Sequence, residues 1–295
     1  GGVDLAAGHF SNTSAGHRRA IHQGRHRSRC KGPHRGNFGR VVGVFASHAH
    51  DVGRIVSVVF VDSHCHINFS DFADDTAELV ARMAAARVTH AMCISVTYPE
   101  WPSVVALAER YDNIYATAGV HPDYEDIEEP TVASLLERAA HPKVQAIGET
   151  GLDYFRLQGD LSWQRERFRR HIRAARECDK PLVIHTRSAS EDTLAIMREE
   201  RASEVGGVMH CFTETWDVAS AAMDLGFHIS FSGIVSFKSA KDLREVARQM
   251  PLERMLIETD SPYLAPVPYR GKRNEPSFVP YVAAAIAAER GVDVE

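Results

Sequence analysis

A chain of 295 residues, 44% hydrophobic and 25% charged, can bury a large core and has the balance of a soluble globular protein. No apolar run reaches the roughly 18 residues of a membrane span. The five cysteines, Cys30, Cys65, Cys93, Cys178 and Cys211, are dispersed without a CxxC pair, which argues for a reducing, cytoplasmic setting and against a thiolate zinc site or a disulfide framework.

In chain order, the first segment is unlike the rest. Residues 1–54 carry nine Arg or Lys against Asp4 and Asp51, a net +7 in a chain of net −5, so the remainder carries −12. The same stretch holds ten of the 20 glycines and seven of the 16 histidines, with little apolar periodicity before Val41. Residues 1–56 are therefore expected to be disordered or no part of the native fold, with a basic arm for nucleic acid as the functional alternative. The folded domain is expected at 57–295.

Beyond that point, short runs rich in Val and Ile alternate with longer amphipathic stretches, the pattern of repeated strand, helix, strand units. Eight runs read as strands: Ile55 to His64, His90 to Val96, Tyr115 to Val120, Val144 to Glu149, Pro181 to His185, Gly207 to Cys211, His228 to Ser232 and Met255 to Glu258. Eight parallel strands close a (β/α)8 TIM barrel, an α/β fold. The segments between them carry apolar residues three and four apart and read as helices, among them Thr131 to Ala140, Ser162 to Cys178 and Trp216 to Leu225. Ser162, Thr215 and Ser277 are the expected capping residues of three helices. The last of these, Phe278 to Arg290, has Pro280 in its first turn and stops at Gly291. Because the chain ends four residues later at Glu295, a final helix is expected to be truncated.

In such a barrel, function sits where strands end. The first strand ends in Val61-Asp62-Ser63-His64-Cys65-His66, and strict alternation would place Asp62, His64 and His66 on one face, Ser63 and Cys65 on the other. A buried imidazole pair with nothing to bind would be costly, and imidazole is the commonest ligand for divalent metals. The later strand ends supply His121, Glu149, His185 and His210, and Asp260 follows the eighth. Imidazole and carboxylate without thiolate suit Zn, Mn, Co or Fe, and carboxylate with water suits Mg. Glu149 can bridge two ions, and a binuclear centre can hold an activated hydroxide and clamp the attacking and leaving oxygens of a phosphoryl displacement. Asp260 would be both ligand and proton acceptor. Cys65 and Cys211 are expected to point away into packing.

The motifs Val-Asp-Ser-His-Cys-His, Ala-Gly-Val-His-Pro, Ile-Gly-Glu-Thr-Gly-Leu-Asp-Tyr, Pro-Leu-Val-Ile-His-Thr-Arg, His-Cys-Phe-Thr-Glu, Ile-Ser-Phe-Ser-Gly-Ile-Val and Glu-Thr-Asp-Ser-Pro-Tyr-Leu-Ala-Pro occur in order from about Val58 to the end. In these the chain resembles the TatD family of metal-dependent deoxyribonucleases, among the amidohydrolase-type barrels. The resemblance implies a phosphodiester hydrolase with two divalent ions, Mg, Mn or Zn. By motif position it implies that His64 and His66 hold one ion, that Glu149 bridges, that His185 and His210 hold the second, and that Asp260 joins the first. Residues 1–56 have no counterpart in the family.

For substrate, the rim offers His121, Tyr154, Arg156, Arg187 and the loop Pro268 to Arg273, with Arg187 the foremost phosphate contact. An acidic body disfavours a broad duplex-binding surface, so the expected partner is DNA as a single strand or strand end, cleaved exonucleolytically, with no membrane. Two alternatives remain at this level: a binuclear hydrolase of another ester or amide, and a non-catalytic nucleic-acid-binding scaffold.

Overall fold

Val- and Ile-rich runs that are apolar on both faces need cover on both, and a parallel sheet wrapped in helices provides it. The computed structural model describes residues 58–294, so the basic segment before them lies outside the described residues. Eight strands form one parallel sheet in sequential order: β1 Phe60–Cys65, β2 Val88–Cys93, β3 Ile114–Ala118, β4 Val144–Asp153, β5 Leu182–Arg187, β6 Gly207–Met209, β7 Phe227–Phe231 and β8 Met255–Ile257. The α-helices are α1 Thr76–Ala85, α2 Trp101–Arg110, α3 Val132–Ala139, α4 Ser162–Cys178, α5 Ser190–Glu199, α6 Trp216–Asp224, α7 Lys241–Gln249 and α8 Val279–Arg290. The TIM barrel expected from the alternation is the one observed, with element ends displaced by a few residues.

The main core lies between strands and helices, where Ile114, Phe168, Phe227 and Phe231 are fully buried. Ala146, Val183 and Val208, with Leu256 against them, form a second, small core cluster. The sheet closes on itself at its C-terminal rim, through residues just past β8. The His66 N–H donates to the Ser261 carbonyl (2.8 Å) and the Asp260 N–H to the His64 carbonyl (2.9 Å). The fully buried Asp62 carboxylate accepts from the Thr259 N–H (2.9 Å) and from the Thr259 hydroxyl. Lower down the seam, Phe60, Val61, Leu256 and Ile257 line a cavity of about 320 Å³. Closure and candidate ligands thus occupy the same few residues.

Some local expectations are corrected. Pairing of β1 with β2 shifts register between Asp62 and Cys65, so the strict alternation from Asp62 to His66 does not hold. Asp62 turns to Thr259, while the Ser63 hydroxyl reaches Ser230 on β7 (3.1 Å) past the intervening β8. Thr215 caps α6, accepting from the Val218 N–H. Ser162 is instead the first residue of α4: the cap position is Leu161, which has no capping side chain, and the Ser162 N–H donates to Asp160 Oδ1 (2.9 Å). Ser277 lies in a short 3-10 turn before α8, its hydroxyl on Glu275 rather than on the helix.

Two glycines set strand spacing beside the candidate ligands. A Cβ on Gly119 would lie 2.3 Å from the Gly148 carbonyl carbon, and one on Gly151, at φ +135°, would lie 1.9 Å from the His185 carbonyl oxygen. Only glycine allows β3, β4 and β5 to approach this closely.

Candidate metal centre

Donor atoms about 2.1 Å from a common divalent ion stand roughly 3.0–3.5 Å from one another, whether the geometry is octahedral or tetrahedral. That spacing recurs twice around Glu149. On one side, the Nε2 atoms of His64 and His66 face each other at 3.2 Å. Glu149 Oε2 lies 3.3 Å from His64 Nε2 and 3.9 Å from His66 Nε2, and Asp260 Oδ1 lies 3.6 and 3.4 Å from the same two atoms. On the other side, Glu149 Oε1 lies 2.7 Å from His210 Nε2, 3.2 Å from His121 Nε2 and 3.3 Å from His185 Nδ1. One carboxylate therefore turns one oxygen to each group of imidazoles.

The contacts are not those of a self-satisfied hydrogen-bond network. His210 Nε2 is buried and, despite its closeness to Glu149, is not aligned for a hydrogen bond; the Nδ1 atoms of His64 and His66 are also buried without partners. Buried polar atoms left in this state are costly unless something else engages them. Nitrogen and oxygen donors converging with several buried atoms left unpartnered fit divalent cations, and the six residues that the motifs single out, His64, His66, Glu149, His185, His210 and Asp260, all lie in this cluster.

The electrostatics follow from crowding. Burial alone would raise the Glu149 carboxyl, but His210, His121 and His64 hold it well below the ordinary range. Burial would also raise Asp260, which is held down by its hydrogen bond to His66 and by the charge of His64. Burial would lower His210, and the Glu149 carboxylate instead lifts it well above the ordinary value. Positive charge is thus favoured here, whether carried by protons or by metal ions that displace them.

Two further carboxylates fix the imidazoles and were not singled out from sequence. Asp153, on β4, has Oδ2 3.0 Å from His185 Nε2, which leaves Nδ1 for the Glu149 side. Its other oxygen accepts the Phe155 and Arg156 N–H groups, both at 2.9 Å, and these bonds help to hold its carboxyl at about 2 against burial. Glu258, just past β8, is fully buried with Oε1 3.3 Å from His210 Nδ1 and 2.7 Å from the Cys211 N–H. Their positions, four residues after Glu149 and two before Asp260, were the available signal.

His121 is placed within the donor cluster itself, and α4 holds its loop. The buried Arg167 guanidinium donates to the His121 carbonyl (3.0 Å) and pairs with Glu129. Arg156 and Arg187 line the cavity over the cluster, which measures about 600 Å³. Arg156 pairs with Asp123 (3.2 Å), and Arg187 lies over the Phe155 ring at 3.9 Å. Tyr154 is not among the lining residues: its hydroxyl donates to Asp192 (2.6 Å) and accepts from Arg165 (3.2 Å). In the loop from Pro268, Arg273 pairs with Asp75, Arg270 lies over Phe237 and Lys272 over Tyr269, all away from the cavity lining. Cys65 is fully buried as expected. Cys211 is not packed away: at φ 43° just past β6 the alternation ends, and its side chain lines the cavity with Sγ 3.3 Å from the Ser232 hydroxyl.

A parallel (β/α)8 barrel with imidazoles and carboxylates gathered at its C-terminal rim defines a metal-dependent hydrolase of the TIM-barrel class. The family model for TatD related DNase matches residues 61–295. The chain is 46% identical over 242 residues to the uncharacterized metal-dependent hydrolase YcfH of Escherichia coli (strain K12), covering 80% of this chain and 89% of that protein. It is 33% identical over 240 residues to the 3'-5' ssDNA/RNA exonuclease TatD of Klebsiella pneumoniae (strain 342), covering 79% and 91%. The crystal structure of YjjV, a TatD homolog from Escherichia coli K12, superposes with a TM-score of 0.73 at 28% identity, covering 80% of this chain and 92% of that one. The chain belongs to the TatD family.

Proposed function

We propose that this protein hydrolyses phosphodiester bonds of DNA, removing nucleotides from single-stranded ends with the help of two divalent ions. The observation that carries the reading is the Glu149 carboxylate, whose two oxygens face separate sets of donors. His64, His66 and Asp260 would hold one ion and His185 and His210 the other, with Glu149 shared between them. Bound there, the ions would supply a water of lowered pKa and neutralise charge on the phosphoryl oxygens. Support for a nucleic-acid substrate comes from the nuclease name of the Klebsiella relative and from the family description.

The protein's own groups divide the remaining work. Asp260, held ionised by its histidines and 16% exposed in its side chain, takes the proton of the attacking water. Arg187 and Arg156 hold phosphate oxygens at the cavity wall, and His121, within the donor cluster, faces the same cavity. Tyr154 acts from behind, bracing the Arg187 strand through its backbone N–H, which donates to the Arg187 carbonyl (3.0 Å). The catalytic unit is residues 57–295, with 1–56 outside it. A cytoplasmic setting fits the free cysteines Cys65, Cys93, Cys178 and Cys211, and no helix among the described residues is long and apolar enough to cross a membrane.

The test is nucleotide release from single-stranded DNA by the full chain, with and without chelator, beside Asp260→Asn. Chelator should abolish release, and the variant should lose roughly 10²- to 10⁴-fold in kcat, the range for a general base. Undiminished metal-dependent release by Asp260→Asn would remove its assigned role, and turnover of simple esters or amides far above that of DNA would reassign the substrate.

A further inference from the structure

We infer that Tyr263 is the platform on which the unpaired base of a terminal nucleotide stacks, so that the enzyme takes frayed or single-stranded ends and is indifferent to which base they carry. The inference rests on the nuclease reading above.

A lone exposed aromatic is ordinary on a protein surface. Tyr263 is different in where it stands and how it is held. Its side chain is 57% exposed and lines the same cavity as the metal-centre donors. Its backbone is pinned: the Tyr263 N–H donates to the Asp260 carbonyl (3.0 Å), and the Tyr263 carbonyl accepts from Asn274 Nδ2 (2.6 Å). Asn274 is fully buried, also donates from Nδ2 to the Thr259 carbonyl (2.8 Å), and gives its own N–H to the Pro262 carbonyl (2.9 Å). One clamped loop therefore carries Asp260 and, three residues on, the exposed ring. The backbone that bears the ring is kept at a fixed offset from the reacting centre.

The cavity has two kinds of wall. Arg156 and Arg187 supply the cationic one, while Phe69, Ile234 and Leu264 join Tyr263 in supplying apolar surface. A phosphate alone would use only the first. A nucleotide uses both, its phosphate on the arginines and its base on the ring. Stacking on an aromatic face is tolerant of sequence because every base has a π-face. A base can turn onto the ring only after leaving its partner and its neighbour in the helix, which selects unpaired ends.

Steady-state kinetics on short oligodeoxyadenylates test this, using one series with the base intact and one with an abasic residue at the end that is cleaved. Tyr263→Ala should raise KM for the intact series roughly 5- to 100-fold, and Tyr263→Phe should keep the wild-type KM. With the abasic series the wild type should already show the raised KM, and Tyr263→Ala should add nothing. A second readout needs no turnover: 2-aminopurine at the strand end should be quenched on binding to Asp260→Asn, and the quenching should be lost when Tyr263→Ala is added. Unchanged KM in Tyr263→Ala, or quenching that survives it, overturns the platform. Wild-type protein that quenches the end but leaves every oligonucleotide uncut would overturn the nuclease reading instead, with the platform intact.

Discussion

At the residue scale, the candidate centre depends on side chains that touch imidazoles rather than substrate. Glu258 is the sharpest case, because its Oε1 meets both His210 Nδ1 and the Cys211 N–H, while its Oε2 is buried without a partner. Glu258→Ala frees the His210 ring to rotate and leaves the Cys211 N–H without its carboxylate partner. Loss of such an orienting carboxylate weakens metal affinity about 10- to 100-fold, and competition titration against a chromophoric chelator should show that drop. Affinity within twofold of wild type would mean that His210 is held by its stacking on His64 alone, the two rings being 3.8 Å apart and nearly parallel. The six donors were legible in the sequence because each lies where the apolar run of a strand gives out, toward the rim at which a barrel's geometry gathers residues, even where the strand itself runs on, as β4 does past Glu149. Glu258 and Asp153 were not, since whether a carboxylate meets an imidazole depends on strand register. The register shift between β4 and β5, on which Asp153 and His185 lie, leaves no mark in composition or periodicity. Tyr263 was hidden for a different reason: the clamp on its loop comes from Asn274, eleven residues later.

At the scale of elements, the order of strands and helices could be read because apolar runs and amphipathic stretches alternate so regularly. What could not be read is how α4 controls the end of β3. His171 on that helix is fully buried, with Nε2 accepting the Val120 N–H (3.0 Å) and Nδ1 donating to the Arg167 carbonyl (2.8 Å). The bond at Nε2 requires the neutral ring, because a protonated Nε2 cannot accept. Burial drives its pKa from the ordinary 6.5 down to about 4. Between those values the unfolded chain binds the proton and the native chain does not, so stability conferred by this group is complete above about 6.5, declines as pH falls and levels off below about 4. Urea midpoints measured from pH 7.5 to 4 should therefore slope less steeply in His171→Asn than in the wild type. The variant should also be weaker at pH 7.5, because burial of an imperfect partner leaves the Val120 N–H less well satisfied. Parallel pH profiles for the two proteins would show that other groups govern acid sensitivity.

For the whole molecule, charge decides how a polyanion can be held. The chain is net −5, and with the basic first 54 residues set apart the remainder is more acidic still. A surface of that sign cannot grip a long backbone, so grip must come from the metal centre and the two arginines beside it. For single strands each neutralised phosphate contributes about −0.7 to the slope of log K against log salt, so two contacts predict a slope near −1.4. Arg187→Ala should reduce it to about −0.7. A much steeper slope for the full chain, about −4 or beyond, would need some six phosphate contacts, more than Arg156 and Arg187 can make. The nine Arg and Lys of residues 1–54, in a segment of net +7, are the concentrated source of positive charge that could supply the difference. Comparing the full chain with residues 57–295 alone then separates the two cases: equal slopes place all phosphate contact at the barrel rim, and a slope that relaxes to −1.4 on removal assigns the excess to the basic segment.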